Sequence, residues 1–327
     1  MADGRVAVTG GSGFVGTNLV RHYRDLGWDV LNLDPNEARD SELSRYRKDV
    51  DILDGDALYN SLREFKPTVL LHLGARTDLN ESRSVDGYTA NTKGVQNVID
   101  VASRIPSLER AVYASSRLVF RIDHTPASDY DYSATTMYGH SKVVGEKLVR
   151  AQHESSVPWT IVRPTSIWGP WFDVPYRTFF TSVQRGRYVH PKGHRIKKSF
   201  GYVGNAVHQI ERLAAAPVEQ VGSKVFFLAD YDPLDVLDWA NEIRVALDAP
   251  SIKEVPLPVL RGLALAGDLF SAVGINKFPL TSFRLNNLIT NMVYDLDATA
   301  AVVGKLPYSE TEGVALTADW LRNNTKD

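Results

Sequence analysis

A tyrosine and a lysine four residues apart, Tyr138 and Lys142, form the residue pair whose types and spacing could do chemistry. On a helix, residues at this spacing share one face. An ammonium beside a phenol stabilises the phenolate and lowers the pKa of the phenol, which makes it a usable general base. A helix-like run, Ser141–Val149, begins just beyond Tyr138. We therefore expect Tyr138 and Lys142 to be catalytic.

The chain contains a second pair at the same spacing, Tyr188 and Lys192. Pro191 lies inside this segment and Gly193 follows it, so the segment is not expected to be helical and its side chains need not meet. We interpret the second pair as a chance match.

A third catalytic candidate, Ser116, follows an apolar run that begins at Ala111. The run predicts a buried parallel strand, and ligands in such folds bind at the carboxyl ends of the strands. We expect Ser116 to hydrogen-bond the reacting hydroxyl and to relay its proton to Tyr138. The alternative role for Ser116 is to cap a turn, as serines often do.

Three glycines at equal spacing, Gly10, Gly13 and Gly16, lie between an apolar run and a helix-like segment. In strand–turn–helix units that bind dinucleotides, such glycines allow the tight turn, the approach of backbone N–H groups to a pyrophosphate and close helix packing. Asp34 ends the next apolar run, where an acidic side chain accepts hydrogen bonds from the adenosine ribose and repels a 2′-phosphate. This pattern predicts that the site binds NAD rather than NADP. The alternative is a glycine-rich turn that binds no ligand.

The elements that must position these residues alternate between apolar runs and helix-like segments. The predicted strands are 6–9, 29–33, 69–73, 111–114, 159–163 and 225–228, and the helices beside the site are Phe14–Leu26, Asn91–Arg104 and Ser141–Ala151. Such alternation implies right-handed βαβ units and a parallel sheet. The expected fold is therefore α/β, a Rossmann-type doubly wound parallel sheet with a smaller, mostly helical C-terminal lobe.

The pattern changes near residue 165, where aromatic residues and prolines become dense. We expect a dinucleotide-binding domain at residues 1–165 and a mainly substrate-binding lobe at residues 166–327. The lobe is expected to be discontinuous, because the chain returns to the sheet near residues 200–230.

Composition restricts the possible functions. The 327 residues include no cysteine, which excludes disulfides, thiolate metal sites and a cysteine nucleophile. The net charge of −2 gives no overall field that would recruit nucleic acid. The first apolar run leaves no room for a signal peptide, and the longest apolar stretch, residues 255–275, is interrupted by Arg261 and Asp268. We expect a soluble cytoplasmic protein with no membrane span.

Taken together, these residues resemble the extended short-chain dehydrogenase/reductase superfamily, in particular its nucleotide-sugar epimerase/dehydratase branch. The resemblance spans most of the chain. The matching segments are Thr9–Gly16, Asp51-Ile52, Asn91–Gly94, Ser115-Ser116, Tyr138 with Lys142, Arg163–Pro170 and Lys198–Val203.

The resemblance implies an NAD-dependent enzyme and extends the list of site residues. The residues expected to bind the cofactor are Gly10, Gly13, Phe14, Val15, Gly16, Asp34, Asp51, Ile52, Leu73, Gly74, Ala75, Asn91, Ser115, Tyr138, Lys142 and Pro164. The residues expected to bind substrate are Ser116, Ser166, Lys198 and Arg284. By analogy with the family, Lys198 and Arg284 are expected to contact a nucleotide diphosphate. The alternative for Lys198 is that it belongs to a solvated basic loop. Ser166 stands where the family usually has asparagine.

The expected reaction follows from one place in the chain at which this sequence differs from the family's dehydratases. Dehydratases of this branch carry Asp-Glu just after the strand-end hydroxyl, whereas this chain has Arg117 and Leu118. Elimination needs an acid and a base there, so this argues against dehydration and against decarboxylation of the family's type. The expected function is epimerisation of a nucleotide-linked sugar. The Tyr138 phenolate removes the C4 hydroxyl proton, hydride passes to the nicotinamide, and hydride returns to the other face of the sugar.

Alternatives stay open at this point. One is a dehydrogenase or reductase of a nucleotide keto-sugar or of a sterol-like alcohol. Two features favour the sterol-like substrate: the apolar segment Pro256–Val273 and the C-terminal segments 292–300 and 317–321. The alternative for Pro256–Val273 is a helix that packs in the core. A 4,6-dehydratase and a non-catalytic NAD-binding protein are less favoured, the latter because Tyr138 and Lys142 are both present.

Two further expectations concern metals and assembly. His190 and His194 suggest a metal pair, but Pro191 breaks helical spacing between them, and no metal is expected. By the family resemblance, helices Asn91–Arg104 and Ser141–Ala151 are expected to pair with their copies in a homodimer.

Overall fold

The computed structural model describes residues 4–81, 83–152, 157–272 and 280–324. Its strands are β1 (Arg5–Thr9), β2 (Asp29–Leu33), β3 (Arg47–Lys48), β4 (Val69–His72), β5 (Arg110–Ala114), β6 (Trp159–Pro164), β7 (Ser166–Trp168), β8 (Val189–Pro191), β9 (Lys197–Lys198), β10 (Phe200–Tyr202), β11 (Lys224–Leu228), β12 (Leu234–Asp235) and β13 (Lys253–Val255).

The α-helices alternate with these strands. They are α1 (Phe14–Asp25), α2 (Gly55–Phe65), α3 (Val95–Ala102), α4 (Met137–Arg150), α5 (Tyr176–Gln184), α6 (Val203–Ala215), α7 (Val218–Val221), α8 (Val236–Ala246), α9 (Leu257–Ala272), α10 (Ser282–Ile289), α11 (Asp297–Val303) and α12 (Glu310–Asn324). Residues 273–279, which include the end of the apolar segment predicted at 256–273, lie outside the described residues.

Seven strands form one parallel sheet in the order β11-β6-β5-β4-β1-β2-β3. The strand order reverses between β1 and β4, and in open α/β sheets this switch point is where ligands bind, outside the carboxyl ends of the strands. The predicted α/β fold of Rossmann type is confirmed. Each strand predicted from an apolar run begins and ends within one residue of the observed strand.

Helix α4 begins earlier than the sequence pattern indicated. Thr136 is its N-cap, and the Thr136 hydroxyl accepts a hydrogen bond from the Gly139 N–H at 3.0 Å. Because this cap satisfies a backbone donor that the helix itself leaves unpaired, the helix can begin at Met137. Tyr138 therefore lies in the first turn of the helix. The predicted helix at 91–104 also differs, since Ala90–Gly94 is a π-helical turn and α3 ends at Ala102.

The core on one face of the sheet is built from apolar residues of the strands and the helices that cross over them. Its fully buried members include Leu70 in β4, Leu58 and Leu62 in α2, and Val98 in α3. Strand β4 is buried at every position, as expected of a central parallel strand covered on both faces. This packing fixes the height at which each strand ends, and so the position of the residues that follow it.

The chain divides into two compact units. The first comprises Met1–Phe172, Gly201–Tyr231 and Asp295–Tyr308, and it contains the parallel sheet. The second comprises Asp173–Phe200, Asp232–Tyr294 and Ser309–Asp327. The second unit contains two small strand pairs, β9 with β12 and β8 with β13, and a core in which Trp239 stacks on Phe179 with ring centroids 4.8 Å apart.

No helix among the described residues is both long and apolar enough to cross a membrane.

The glycine turn after β1 generates a stability prediction. Gly10 has a φ of +74°, and a Cβ built on Gly16 would lie 2.1 Å from the Gly10 carbonyl oxygen. Because that backbone atom cannot yield without moving the turn, we expect Gly16→Ala to lower the free energy of unfolding by about 1–3 kcal/mol. Urea denaturation without NAD measures this change.

Gly55→Ala is the matched control in the same unit. A Cβ on Gly55, the first residue of α2, would have its nearest neighbour, the Asn97 side chain, 3.9 Å away. We expect this variant to unfold at the wild-type urea concentration or slightly above it. Equal midpoints for the Gly16 and Gly55 variants would contradict the close approach inferred at Gly16.

Candidate active site

The turn between β1 and α1 has the geometry of a dinucleotide-binding loop. The Gly13 N–H donates to the Gly10 carbonyl at 3.1 Å, and helix α1 then begins with Gly13 as an N-cap that carries no side chain. The first turn of α1 consequently presents its backbone N–H groups and the positive end of the helix dipole at the carboxyl edge of the sheet.

Asp34 lies beside this turn, directly after β2. One carboxylate oxygen accepts a hydrogen bond from the Ser12 N–H at 3.0 Å, and the other accepts from the backbone and side-chain nitrogens of Asn36 at 2.9 and 3.0 Å. These bonds hold a buried acidic side chain next to the glycine turn. The glycine turn has space next to its backbone that side chains would occupy, which suits a pyrophosphate. Asp34, fixed at its side, suits the ribose of a dinucleotide.

Five of the remaining residues predicted to bind the cofactor end or follow strands at this same edge. Leu73, Gly74 and Ala75 follow β4, Ser115 follows β5, and Pro164 ends β6. The Leu73 N–H donates to the Thr9 carbonyl at 2.9 Å, which ties the end of β4 to the end of β1.

Asp51 and Ile52 lie in the segment between β3 and α2. The Asp51 carboxylate is exposed and accepts from the Leu53 N–H at 2.9 Å, while Ile52 is buried. The Ile52 carbonyl accepts a hydrogen bond from the Asn97 side chain of α3 at 2.9 Å. This contact fixes the segment to the side of the sheet.

Asn91, predicted to bind the cofactor, has its polar atoms paired inside the protein. Its side-chain oxygen accepts from the Arg76 N–H at 2.8 Å. Its side-chain nitrogen donates to the Arg76 carbonyl at 2.9 Å and to the Ser141 hydroxyl at 2.8 Å. Asn91 is fully buried and thus connects the segment after β4 with helix α4.

The structure brings Ser116, Tyr138 and Lys142 together. Ser116 follows β5, its hydroxyl is near enough to Tyr138 to act on the pKa of the phenol, and all three side chains are buried. The Lys142 Nζ lies 6.0 Å from the centre of the Tyr138 ring. The Ser116 hydroxyl also accepts from the Leu118 N–H at 3.1 Å, so the capping role considered from the sequence exists beside the contact with Tyr138.

The protonation state of Tyr138 differs from the sequence expectation. Burial raises the pKa of Tyr138 to about 12, and the nearby Ser116 hydroxyl opposes this rise. Lys142 does not donate to the phenol; its ammonium donates to the Ala114 carbonyl at 2.9 Å. Lys142 therefore does not lower the pKa of the phenol as expected; burial, which disfavours the charged phenolate, raises it instead.

Burial lowers the pKa of the two basic side chains, Lys142 and His72, whereas it raises the pKa of Tyr138. It lowers the pKa of Lys142 to about 8, and Glu146 opposes the lowering. It also lowers the pKa of His72 to about 3, with a further contribution from the charge of Lys142. The His72 ring is therefore neutral at neutral pH, and its Nδ1 lies 2.7 Å from the Thr9 hydroxyl.

Sequence reasoning missed a buried ion pair next to these residues. Arg163 of β6 and Glu146 of α4 face each other through two contacts, of 2.7 and 2.8 Å. Two signals were present in the sequence. Glu146 continues the four-residue spacing of Tyr138 and Lys142, and Arg163 is the one charged residue in the predicted strand 159–163.

The residues predicted to bind substrate are distributed over both units. Ser166 is buried in β7 of the first unit. Arg284 is exposed on α10 of the second unit. Lys198 is buried in β9 of the second unit, and its ammonium donates to the carbonyls of Asn287, at 2.8 Å, and Thr290. Lys198 is therefore not on a solvated basic loop.

The second tyrosine–lysine pair and the two histidines have other partners. Tyr188 precedes β8 and Lys192 follows it, so the pair is not helical, as predicted. His190 is buried, with Nδ1 2.9 Å from the Tyr188 hydroxyl and Nε2 2.9 Å from the His194 carbonyl. Both ring nitrogens of His190 thus have partners within the protein.

The fold and the site define a dinucleotide-dependent enzyme with a serine, a tyrosine and a lysine at the carboxyl edge of a parallel sheet. Residues 6–226 match the model of the NAD dependent epimerase/dehydratase family, and the chain belongs to this family. It is thus an enzyme, and its cofactor is NAD.

Known proteins of different activity resemble this chain. A 3-beta-hydroxysteroid dehydrogenase of Mycolicibacterium neoaurum is 27% identical over 74% of this chain and 70% of its own length. A UDP-glucose 4-epimerase of Vibrio cholerae is 26% identical over 96% of this chain and 94% of its own length. An epimerase structure from Methanothermobacter thermautotrophicus superimposes with a TM-score of 0.77 at 20% identity, covering 99% of this chain and 93% of the other.

The first site prediction concerns the phenol. Tyr138→Phe removes only the hydroxyl that is predicted to exchange the proton, so we expect kcat to fall by at least about a hundredfold. The Kd for NADH, measured by fluorescence titration, is expected to stay near the wild-type value. Tyr188→Phe, in the second tyrosine–lysine pair, is the control and should turn over normally. Near-normal turnover by Tyr138→Phe would refute the assignment.

The second site prediction concerns pH and stability. The folded chain releases the Lys142 proton near pH 8, whereas a lysine in the unfolded chain releases it near pH 10.5. Between these values the unfolded chain binds more protons, so the cost of burying this ammonium diminishes as the pH rises. The measured quantity is the Tm of Lys142→Met minus the Tm of the wild type. We expect this difference to be lower at pH 10 than at pH 7 by about 3 °C or more.

Thermal denaturation at the two pH values measures this change. Lys147→Met replaces an exposed lysine of the same helix and controls for the general loss of a positive charge. A Tm difference for Lys142→Met that grows with pH is the result that contradicts the burial argument.

Proposed function

We propose that this enzyme is an NAD-linked dehydrogenase or reductase that interconverts a secondary alcohol and a ketone on an apolar, sterol-like molecule. The observation that carries this choice over a nucleotide-linked sugar is the position of Lys198. The ammonium expected to hold a nucleotide diphosphate is buried and donates to backbone carbonyl groups.

The carbonyl partners of Lys198 belong to the end of α10. The last carbonyl groups of a helix have no partner within it, and a cation there also interacts favourably with the helix dipole. Lys198 is 2% exposed. Turning its ammonium towards a diphosphate would break both bonds, to Asn287 and Thr290, and leave those carbonyls unsatisfied. This cost supports a structural role for Lys198.

The second unit, to which we assign substrate selection, also presents an apolar surface. On α9, Val259, Leu263 and Leu269 are 52%, 46% and 72% exposed, and Phe283 on α10 is 63% exposed. Exposed groups of large apolar side chains commonly mark contact with apolar molecules. This surface supports an apolar substrate over a highly charged one.

Ser116, Tyr138 and Lys142 are proposed to carry the proton transfer. Burial keeps the Tyr138 phenol protonated, which is the form that donates to the oxygen of a ketone. Ser116, beside Tyr138, holds the same substrate oxygen. In the oxidative direction the phenol first releases its proton to solvent, and the phenolate then takes the hydroxyl proton of the alcohol. Bound NAD supplies the nicotinamide carbon that takes a hydride from the carbinol carbon or returns it to the ketone.

The residues after Ser116 support simple oxidation and reduction over elimination. Arg117 and Leu118 form the turn that follows Ser116. Neither side chain is a carboxylic acid that could protonate a leaving hydroxyl. The similarity to a 3-beta-hydroxysteroid dehydrogenase is consistent with this chemistry.

The second candidate is epimerisation of a nucleotide-linked sugar at C4, with a nucleotide-diphosphate sugar as substrate. The similarity to a UDP-glucose 4-epimerase extends over 96% of this chain, and this favours it. The homodimer formed through residues 91–104 and 141–151 stays a prediction from the family resemblance.

A substrate panel distinguishes the two candidates. Purified protein is incubated with NAD and a series of apolar secondary alcohols, including 3-hydroxysterols, and NADH formation is followed by absorbance. In parallel, UDP-, GDP-, dTDP- and CDP-sugars are incubated and their products read by NMR. We expect NADH with an apolar alcohol, and a rate at least about a hundredfold lower in Tyr138→Phe.

Lys198→Met is the diagnostic variant. If the proposed function is correct, the variant loses stability, and UDP produces no thermal shift in either protein. Conversion of UDP-glucose to its 4-epimer without net NADH, together with a raised KM for the sugar nucleotide in Lys198→Met, contradicts the proposal in favour of the second candidate.

A further inference from the structure

We propose that Glu146, paired with Arg163, is a positioning residue that fixes the reactive face of α4 to the sheet and is the counter-charge of Lys142. The proposal rests on the roles assigned above to Tyr138 and Lys142. It assigns a function to a buried ion pair outside the three proposed catalytic residues.

Three residues of α4 face three consecutive residues at the end of β5. Tyr138, Lys142 and Glu146 are spaced by four, so they lie on one face of the helix. Tyr138 lies beside Ser116, Lys142 donates to the Ala114 carbonyl at 2.9 Å, and Glu146 accepts from the Ser115 hydroxyl at 2.5 Å. Glu146 thus completes a set of contacts whose other two members are the proposed catalytic residues.

The Glu146 carboxylate has a full set of donors. One oxygen accepts from Ser115 and from the Arg163 Nε at 2.8 Å. The other accepts from the Arg163 Nη2 at 2.7 Å and from the Tyr132 hydroxyl at 2.8 Å. Arg150, one turn further along α4, lies 3.9 Å away. Four hydrogen bonds from three different segments therefore satisfy this carboxylate, which is 2% exposed.

Arg163 is the partner that makes this charge possible. It is fully buried in β6, and it meets the carboxylate through two parallel hydrogen bonds. Its Nη2 also donates to the Asp129 carbonyl at 2.7 Å, and the ring of Phe120 lies 4.8 Å from its guanidinium carbon. A guanidinium suits this arrangement because its planar donors match a carboxylate.

The second part of the role concerns charge. Besides Tyr138, the titratable groups around Lys142 are His72 of β4, Tyr113 of β5 and Glu146, which line a common cavity of about 20 Å³ with it. His72 is neutral, and burial raises the pKa of Tyr113, so neither is a counter-charge. Glu146 raises the pKa of Lys142 against the effect of burial.

The groups that face Glu146 itself complete the electrostatic picture. Arg163 of β6 and Arg150 of α4 are positive, while Tyr132, in the segment before α4, has its pKa raised by burial and by Glu146. The Asp129 carboxylate lies 3.7 Å from the Arg163 Nη1, but its side chain is half exposed. Removing the Glu146 charge therefore leaves Lys142 without a buried negative charge among these groups.

The test measures the acid dissociation constant of Lys142 directly. Apo protein labelled with ¹³C at the lysine Cε carbons is titrated by NMR, and the Lys142 signal is identified from the spectrum of Lys142→Met. We expect Glu146→Gln to raise this dissociation constant by about tenfold. Glu146→Asp, which keeps the charge, should restore most of the wild-type value. This readout needs no substrate, so it is independent of the proposed function.

Tyr132→Phe is the matched control, because it removes one hydrogen bond to Glu146 and leaves the charge in place. Its Lys142 titration should match wild type. Where a substrate is turned over, the alkaline limb of kcat should move to lower pH in Glu146→Gln and stay in place in Tyr132→Phe, with KM nearly unchanged in both.

Glu146→Gln leaves Arg163 buried without its partner, so the double variant Glu146→Gln, Arg163→Gln is titrated as well. A raised dissociation constant in either folded variant supports the proposal. A Lys142 titration identical to wild type overturns it. Failure of both variants to fold and bind NADH also overturns it, because the pair would then serve stability alone.

Discussion

The contact between the end of β5 and one face of α4 is the arrangement on which the site depends. Ala114, Ser115 and Ser116 are consecutive, so their spacing is fixed by the backbone, and each meets a different turn of the helix. A shift of α4 along its axis by one residue would break all three contacts together. The reactive groups are therefore placed by secondary-structure geometry rather than by flexible loops.

Burial sets the protonation states around this contact. It raises the pKa of Tyr138, lowers that of Lys142 and keeps His72 neutral. The same low-polarity surroundings make an isolated charge costly, which explains why Glu146 and Arg163 occur as a closely bonded pair. The charges near the phenol therefore depend on packing at three strand ends and not on one neighbouring side chain.

Recognition of the cofactor and recognition of the substrate depend on different structural levels. The glycine turn and Asp34 act through backbone geometry within one βαβ unit, and this unit is common to proteins that differ in substrate. The environment of Lys198 depends on a helix some ninety residues further along the chain. This difference is consistent with the similarity of this chain both to a 3-beta-hydroxysteroid dehydrogenase and to a UDP-glucose 4-epimerase.

The sequence alone determined the parallel sheet, the glycine turn with Asp34 and the helical pair Tyr138 and Lys142, because each depends on contacts between residues close in the chain or on repeating patterns. Tertiary structure decided the rest. The internal bonds of Asn91, the burial of Lys198 and the pairing of Glu146 with Arg163 join segments distant in sequence. Desolvation likewise depends on everything packed around a group, so no local pattern could give the pKa of Tyr138.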